Sequence, residues 1–257
     1  MILSPEKIQT FHQQGFLIEK KLASAEVCEQ MRSVIQRSLN PPLAPVEFET
    51  DVQYPGAPIS RDSPGGNTPR RLLHAYTRDG VFRDWATSEP VTDRVRQLLE
   101  TDGIELSQNH HNCIMTKHPG FSSATLWHQD IRYWLFDQPE LVSVWLALGD
   151  ETEHNGGLKL IPGSHRQDLD RGHYDAAFFL RSDLPQNQRL IHSAISADLS
   201  QGDTLFFHSG TFHAAGQNQS EQVKTSVVFT YHAQSNQPLE GTRSSNYPDI
   251  PCLPKNQ

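Results

Sequence analysis

The chain predicts a mainly β fold, a double-sheet jelly roll with helices packed outside it. Helical periodicity is concentrated in the first hundred residues, and from Gly103 onward short strand-like runs follow one another at turn signals. One of these, Leu141-Val-Ser-Val-Trp-Leu-Ala-Leu148, is almost continuously apolar, as a strand covered on both faces must be. Helices first and strands after them is the order of a strand sandwich with helices outside it.

At the N-terminus, Ser4-Pro5 places a capping hydroxyl before a proline at the first helical position, and Ile8 and Phe11 share one face. Gly15 stops this helix, and Phe16-Leu17-Ile18 follows as a short strand. Ser24 opens a second helix with Val27, Met31, Val34 and Ile35 on its inner face. Residues 40–69 carry clustered prolines and glycines and read as a long irregular loop, a lid or a binding loop. The basic stretch Pro69-Arg-Arg-Leu-Leu-His follows, and a third helix is expected from about Ser88 to Glu100. The expected strands are Ile104–Leu106, His111–Lys117, Leu141–Leu148, Gly157–Ile161, Gly202–Phe207 and Lys224–Tyr231, with a second irregular segment over 166–190. Residues 1–257 read as one domain, without internal repeats.

Composition narrows the function. A net charge of −8 with no basic patch argues against nucleic acid as a partner. No apolar run of about eighteen residues exists, so no membrane span is expected. The start Met-Ile-Leu-Ser-Pro-Glu-Lys lacks a signal-peptide layout, and Cys28, Cys113 and Cys252 are odd in number and far apart. A reducing, cytoplasmic setting fits these features. Oligomeric state is not legible.

Chemistry is concentrated at Thr125-Leu-Trp-His-Gln-Asp130. On a strand, His128 and Asp130 project from one face, two thirds of the 2-His-1-carboxylate set that holds non-haem Fe(II). The best candidate for the third donor is His213, 83 residues beyond Asp130.

Four segments in order resemble the phytanoyl-CoA dioxygenase family of Fe(II)- and 2-oxoglutarate-dependent oxygenases. They are the helices and strand of Ser4–Arg32, Trp127-His-Gln-Asp130, Trp145 with Asn155-Gly-Gly-Leu-Lys-Leu-Ile-Pro-Gly-Ser-His165, and Gly202-Asp203 leading to His213-Ala-Ala-Gly-Gln-Asn218. The resemblance implies a double-stranded β-helix (jelly-roll, cupin-like) core. It also implies Fe(II) on His128, Asp130 and His213, with 2-oxoglutarate as co-substrate, O₂, and release of succinate and CO₂ as a small molecule is hydroxylated. It favours His213 over His208, because Gly-Gln-Asn follows His213 as in the family; His208 becomes a packed residue. His165 is read as tied into a turn, and His110, His111 and His154 as solvent-facing or hydrogen-bonded.

The resemblance further implies that Gln129, Trp145, Cys113 and Lys117 lie near the co-substrate. The family's usual co-substrate arginine falls at Lys224, eleven residues after His213. A lysine pairs a carboxylate as a point charge without the planar two-bonded clamp of a guanidinium. Lys224 is therefore the expected partner of 2-oxoglutarate, with Arg70, Arg71 or Arg132 as alternatives. The rival reading of the whole chain is a metal-containing binding or regulatory protein without turnover. Within the resemblance, a carboxylate at Asp130 implies hydroxylation, or a desaturation that likewise needs no halide, and not halogenation. The loops at 40–69 and 166–190 are expected to shape the substrate pocket.

Overall fold

The computed structural model describes residues 3–253; Met1 and Ile2, part of the N-terminal stretch read above, lie outside the described residues, as do residues 254–257. The elements run α1 (Pro5–Gln14), β1 (Phe16–Glu19), α2 (Ala25–Leu39), β2 (Val46–Phe48), α3 (Glu49–Val52), β3 (Pro69–Leu73), α4 (Ala75–Arg78), α5 (Gly80–Ala86), α6 (Glu89–Leu98), β4 (Ile104–Leu106), β5 (Asn112–Lys117) and β6 (Thr125–His128). They continue as β7 (Leu141–Ala147), β8 (Leu158–Leu160), α7 (Pro185–Ile191), β9 (Ile195–Ser196), β10 (Thr204–His208), β11 (His213–Ala215), β12 (Lys224–Ala233) and β13 (Ile250–Cys252).

Two antiparallel sheets carry the fold. The larger runs β1-β10-β7-β12-β5-β3-β2, with β4 and β13 added beside β12; the smaller runs β6-β11-β8-β9. Alternation along β7 explains its apolar run. Val142, Val144 and Leu146 pack beneath the helices, while Trp145 and Ala147 face the smaller sheet. In β12, Val227, Phe229 and Tyr231 join the helix-side core, and Val228 joins the inter-sheet core. Lys224, Ser226, Thr230 and His232 therefore share the inner face with Val228. Phe82 and Phe206 are fully buried in the helix-side core, where truncation of either to Ala would cost roughly 3–5 kcal/mol.

Gly15 does more than end α1. Its φ of 84° favours glycine, and a Cβ there would run into His165 and Thr211. The Gly15 carbonyl accepts from Thr211 Oγ1 at 2.9 Å and His208 N at 2.8 Å, so the N-terminal helix docks on the turn that leads to His213.

The predicted helices and main strands are found, with shifts of a residue or two. Residues 40–69 are not uniformly irregular: β2 pairs with β3, and α3 lies between them in sequence. The basic stretch 69–73 is itself strand β3. Helices α4, α5 and α7 were not anticipated, α7 within the segment read as irregular. These pieces span three to seven residues, too short to show a period. Among the described residues no helix is long and apolar enough to cross a membrane.

Candidate metal centre

Strand pairing brings the two distant histidines together. In the β6–β11 ladder His213 lies directly opposite His128, and a register shift follows between His213 and Ala215. The two imidazole centroids are 4.1 Å apart. Asp130 is not on the strand, as expected above, because β6 ends at His128 and Asp130 opens a 3₁₀ turn, Asp130–Arg132. Gln129 keeps extended angles, φ −116° and ψ 126°, and the three donor atoms still converge. Asp130 Oδ1 lies 3.7 Å from His128 Nε2 and 3.9 Å from His213 Nε2.

Each imidazole is oriented from behind. His128 Nδ1 is 2.8 Å from the Leu126 carbonyl, and His213 Nδ1 is 3.0 Å from the Thr211 carbonyl. A carbonyl only accepts, so each Nδ1 carries the proton and each Nε2 presents a lone pair inward. Asp130 Oδ2 is buried and has no hydrogen-bond partner. Burial pushes the Asp130 carboxyl up to about 6, although the nearby Arg71 guanidinium opposes the rise. Burial also drives His128 far below the ordinary imidazole range, with the neighbouring His213 adding to the effect. Unprotonated nitrogens around an under-satisfied carboxylate form a donor set suited to a divalent cation.

His111 stands behind this group, its Nδ1 3.2 Å from Ser143 Oγ and 3.7 Å from Asp130 Oδ2. It is hydrogen-bonded, as one of the two expectations had it, but its place beside the carboxylate was not foreseen. The polar run Asn109-His-His-Asn112 gave no hint of a ring turned inward, and its partner Ser143 is hidden within an apolar strand.

A cavity of about 200 Å³ adjoins the triad, with Tyr54, Arg70, Tyr133, Trp134, Trp145 and Lys224 on its walls. The two loop regions meet over it. Tyr54 sits edge-on to Phe179 with centroids 5.5 Å apart, and Phe179 lies 5.9 Å from the His128 ring.

The expected co-substrate residues divide. Lys224 and Trp145 line the cavity, but Lys224 is already paired: its Nζ lies 3.0 Å from Glu151 Oε2 and 3.1 Å from Ser226 Oγ. Glu151 is fully buried and also accepts from Trp145 Nε1 at 3.1 Å and Ser226 Oγ at 2.6 Å. No motif marks Glu151, yet a buried lysine requires an anion, and that requirement was the one available signal. Lys117 lines the cavity and donates to the carbonyls of Ser123 and Gly216 at 2.7 and 2.6 Å. Burial, then the Lys224 charge, lowers its ammonium to about 7.

Gln129 and Cys113 do not line the cavity. Gln129 alternates to the far side, donating to the Gly210 carbonyl at 2.6 Å and accepting from Tyr174 Oη and Arg132 Nε. Cys113 packs in the inter-sheet core, where burial raises its thiol to about 11. Arg132 is held over the Tyr174 ring, while Arg70 and Arg71 reach the cavity but share Glu47. His208 accepts from Gly210 N, His165 Nε2 meets the His12 carbonyl, His154 is exposed, and His110 stacks on Trp134 at the cavity wall.

Comparison with known proteins bears on the family and the fold. Ectoine dioxygenase of Halomonas elongata is 27% identical over 255 residues, covering 93% of this chain and 72% of that protein. EctD from S. alaskensis, solved with 2-oxoglutarate and 5-hydroxyectoine, superposes with a TM-score of 0.74 at 19% identity over 92% of this chain and 78% of that one. The 2-oxoglutarate-dependent carbocyclase SnoK of nogalamycin biosynthesis gives 0.73 at 17% identity, over 97% and 96%. These two structural likenesses speak to the fold. The model of the phytanoyl-CoA dioxygenase family matches residues 11–226, most of the chain, and the protein belongs to that family.

Proposed function

We propose that the chain is a single-domain Fe(II)- and 2-oxoglutarate-dependent dioxygenase that hydroxylates a small polar molecule. His128, Asp130 and His213 would hold the iron. The observation that carries this reading is the convergence of two inward Nε2 lone pairs on a buried carboxylate with an unpartnered oxygen. When bound, Fe(II) supplies O₂ activation, driven by oxidative decarboxylation of the keto acid.

The protein's own share is positioning. The Leu126 and Thr211 carbonyls fix the two rings, and Ser143 fixes His111 behind Asp130. Lys224, Lys117 and Trp145 line the end of the cavity suited to the distal carboxylate of the co-substrate. Tyr54 and Phe179 close the mouth against water. Aromatic walls beside Arg70 and Arg243 favour a compact substrate bearing an anionic or acceptor group. The three buried free cysteines fit a reducing compartment such as the cytoplasm.

The direct test is anaerobic. Adding 2-oxoglutarate to the Fe(II)-loaded protein should produce the visible charge-transfer band of a chelated keto acid, without any substrate. No band from iron-loaded, folded protein would overturn the assignment.

A further inference from the structure

A second group of potential metal donors lies outside the cavity. Glu105, His232 and Asp249 bring one ligand atom each within 4.8 Å of one another. Pairing explains two of them, because His232 of β12 and Glu105 of β4 face each other across the ladder. Asp249 immediately precedes β13, the strand that covers the other side of β4.

The arrangement repeats that of the first centre. His232 Nδ1 is 3.0 Å from the Ala233 carbonyl, which leaves Nε2 turned toward the carboxylates, 3.1 Å from Asp249 Oδ2. The His232 side chain is fully buried and that of Asp249 is 6% exposed. Among the described residues only two buried carboxylate oxygens have no hydrogen-bond partner, Asp130 Oδ2 and Asp249 Oδ1. They belong to the two groups in which histidine and carboxylate side chains converge.

We infer that Glu105, His232 and Asp249 form a second, structural site for a divalent transition-metal ion. One imidazole and two carboxylates make a mixed nitrogen and oxygen set, which suits Zn²⁺ or Mn²⁺ better than Mg²⁺ or Ca²⁺. Two carboxylates balance the charge of the ion. Its task follows from position. The strand β13 is three residues long and its ladder partner is β4, so Asp249 is where a cation would fasten the C-terminal segment to β12. The same segment reaches the cavity, through Arg243 on its wall and Ser244, whose Oγ lies 2.9 Å from His110 Nε2.

The test uses the full chain with the first centre disabled by His128→Ala and His213→Ala, and Zn²⁺ itself as the probe. Calorimetric titration of the metal-free variant should still find one Zn²⁺ per chain, and Zn²⁺ should raise its melting temperature while Mg²⁺ does not. Adding Glu105→Gln or Asp249→Asn should each weaken that binding by roughly 10–100-fold or more, the loss already seen when an outer-shell partner is removed. Circular dichroism identifies any variant that fails to fold, and Glu105, being half-buried, is the safer change. A folded double variant that binds no Zn²⁺ would overturn the site and leave only the His232–Asp249 hydrogen bond. Binding that both added substitutions leave unchanged would overturn it equally.

Discussion

The two ends of the cavity are built on opposite principles. At the metal end Asp130 Oδ2 has no partner and two imidazoles turn their lone pairs toward Oδ1 of the same carboxylate, so the polar groups there lack the partner that a cation would supply. At the other end Glu151 is buried and fully engaged, by Lys224, Ser226 and Trp145. An unsatisfied buried carboxylate is costly and persists where a ligand completes it. A satisfied network stands without a ligand and holds its cation in a fixed place. The first end thus reads as a binding site by its deficit, the second as a rigid support.

The largest expected effect breaks the first end. His213→Ala or Asp130→Ala should abolish the anaerobic band with 2-oxoglutarate, lowering metal affinity by at least roughly 10–100-fold. His208→Ala should leave the band intact, because that ring is spent on Gly210 N and the His165 contact. Loss of the band in His208→Ala with His213→Ala unaffected would transfer the ligand role to His208.

Next in size is the support. Glu151→Gln removes the partner of a buried ammonium and should cost about 3–5 kcal/mol of stability in denaturant unfolding. The double change Glu151→Gln with Lys224→Met should recover part of that loss, since no unpaired charge then remains. Equal destabilisation of the single and double variants would mean that Glu151 serves through packing alone.

Lys224→Ala sharpens the comparison from the ligand side. If Lys224 is the cation for the distal carboxylate, 2-oxoglutarate affinity should fall by roughly 2–5 kcal/mol, read from titration of the anaerobic band. If its charge is fully committed to Glu151, the variant loses stability and keeps its affinity, and Lys117→Met carries the affinity loss instead.

Legibility in the sequence followed the length scale of the interactions. The helix caps at Ser4 and Ser24 and the buried strand at 141–147 are local, and each was readable from a few neighbouring residues. His128 and Asp130 announce themselves by spacing, and His213 by family position. What escaped depends on partners far along the chain. Glu151 meets Lys224 across 73 residues and His111 meets Ser143 across 32, and neither contact leaves a periodic trace. Gln129 lies off the cavity wall for a simpler reason. Between two residues that face the cavity, an extended chain turns the middle one away. Cys113 does lie on the inner face of its strand, but behind the cavity wall and within the inter-sheet core.

The smallest effect concerns pH and separates the two lysines. Lys117 faces Lys224 across the β5–β12 pair, and the Glu49 carboxylate acts in the opposite direction. Its ammonium is lowered from 10.5 to about 7, so the unfolded chain holds that proton across an interval in which the folded chain does not. Stability contributed by Lys117 must therefore rise as pH climbs from about 7 toward 10.5, and fall away again as pH drops back through 7. Lys117→Met has no such proton. The difference in unfolding free energy between wild type and Lys117→Met should shift in favour of wild type over that interval, with both proteins free of 2-oxoglutarate. Saturating 2-oxoglutarate should flatten the shift, because a carboxylate beside Lys117 restores the ammonium in the folded state. A difference that stays constant between pH 7 and 10 would show that Lys117 is charged throughout, and that its two carbonyl contacts suffice to hold the proton.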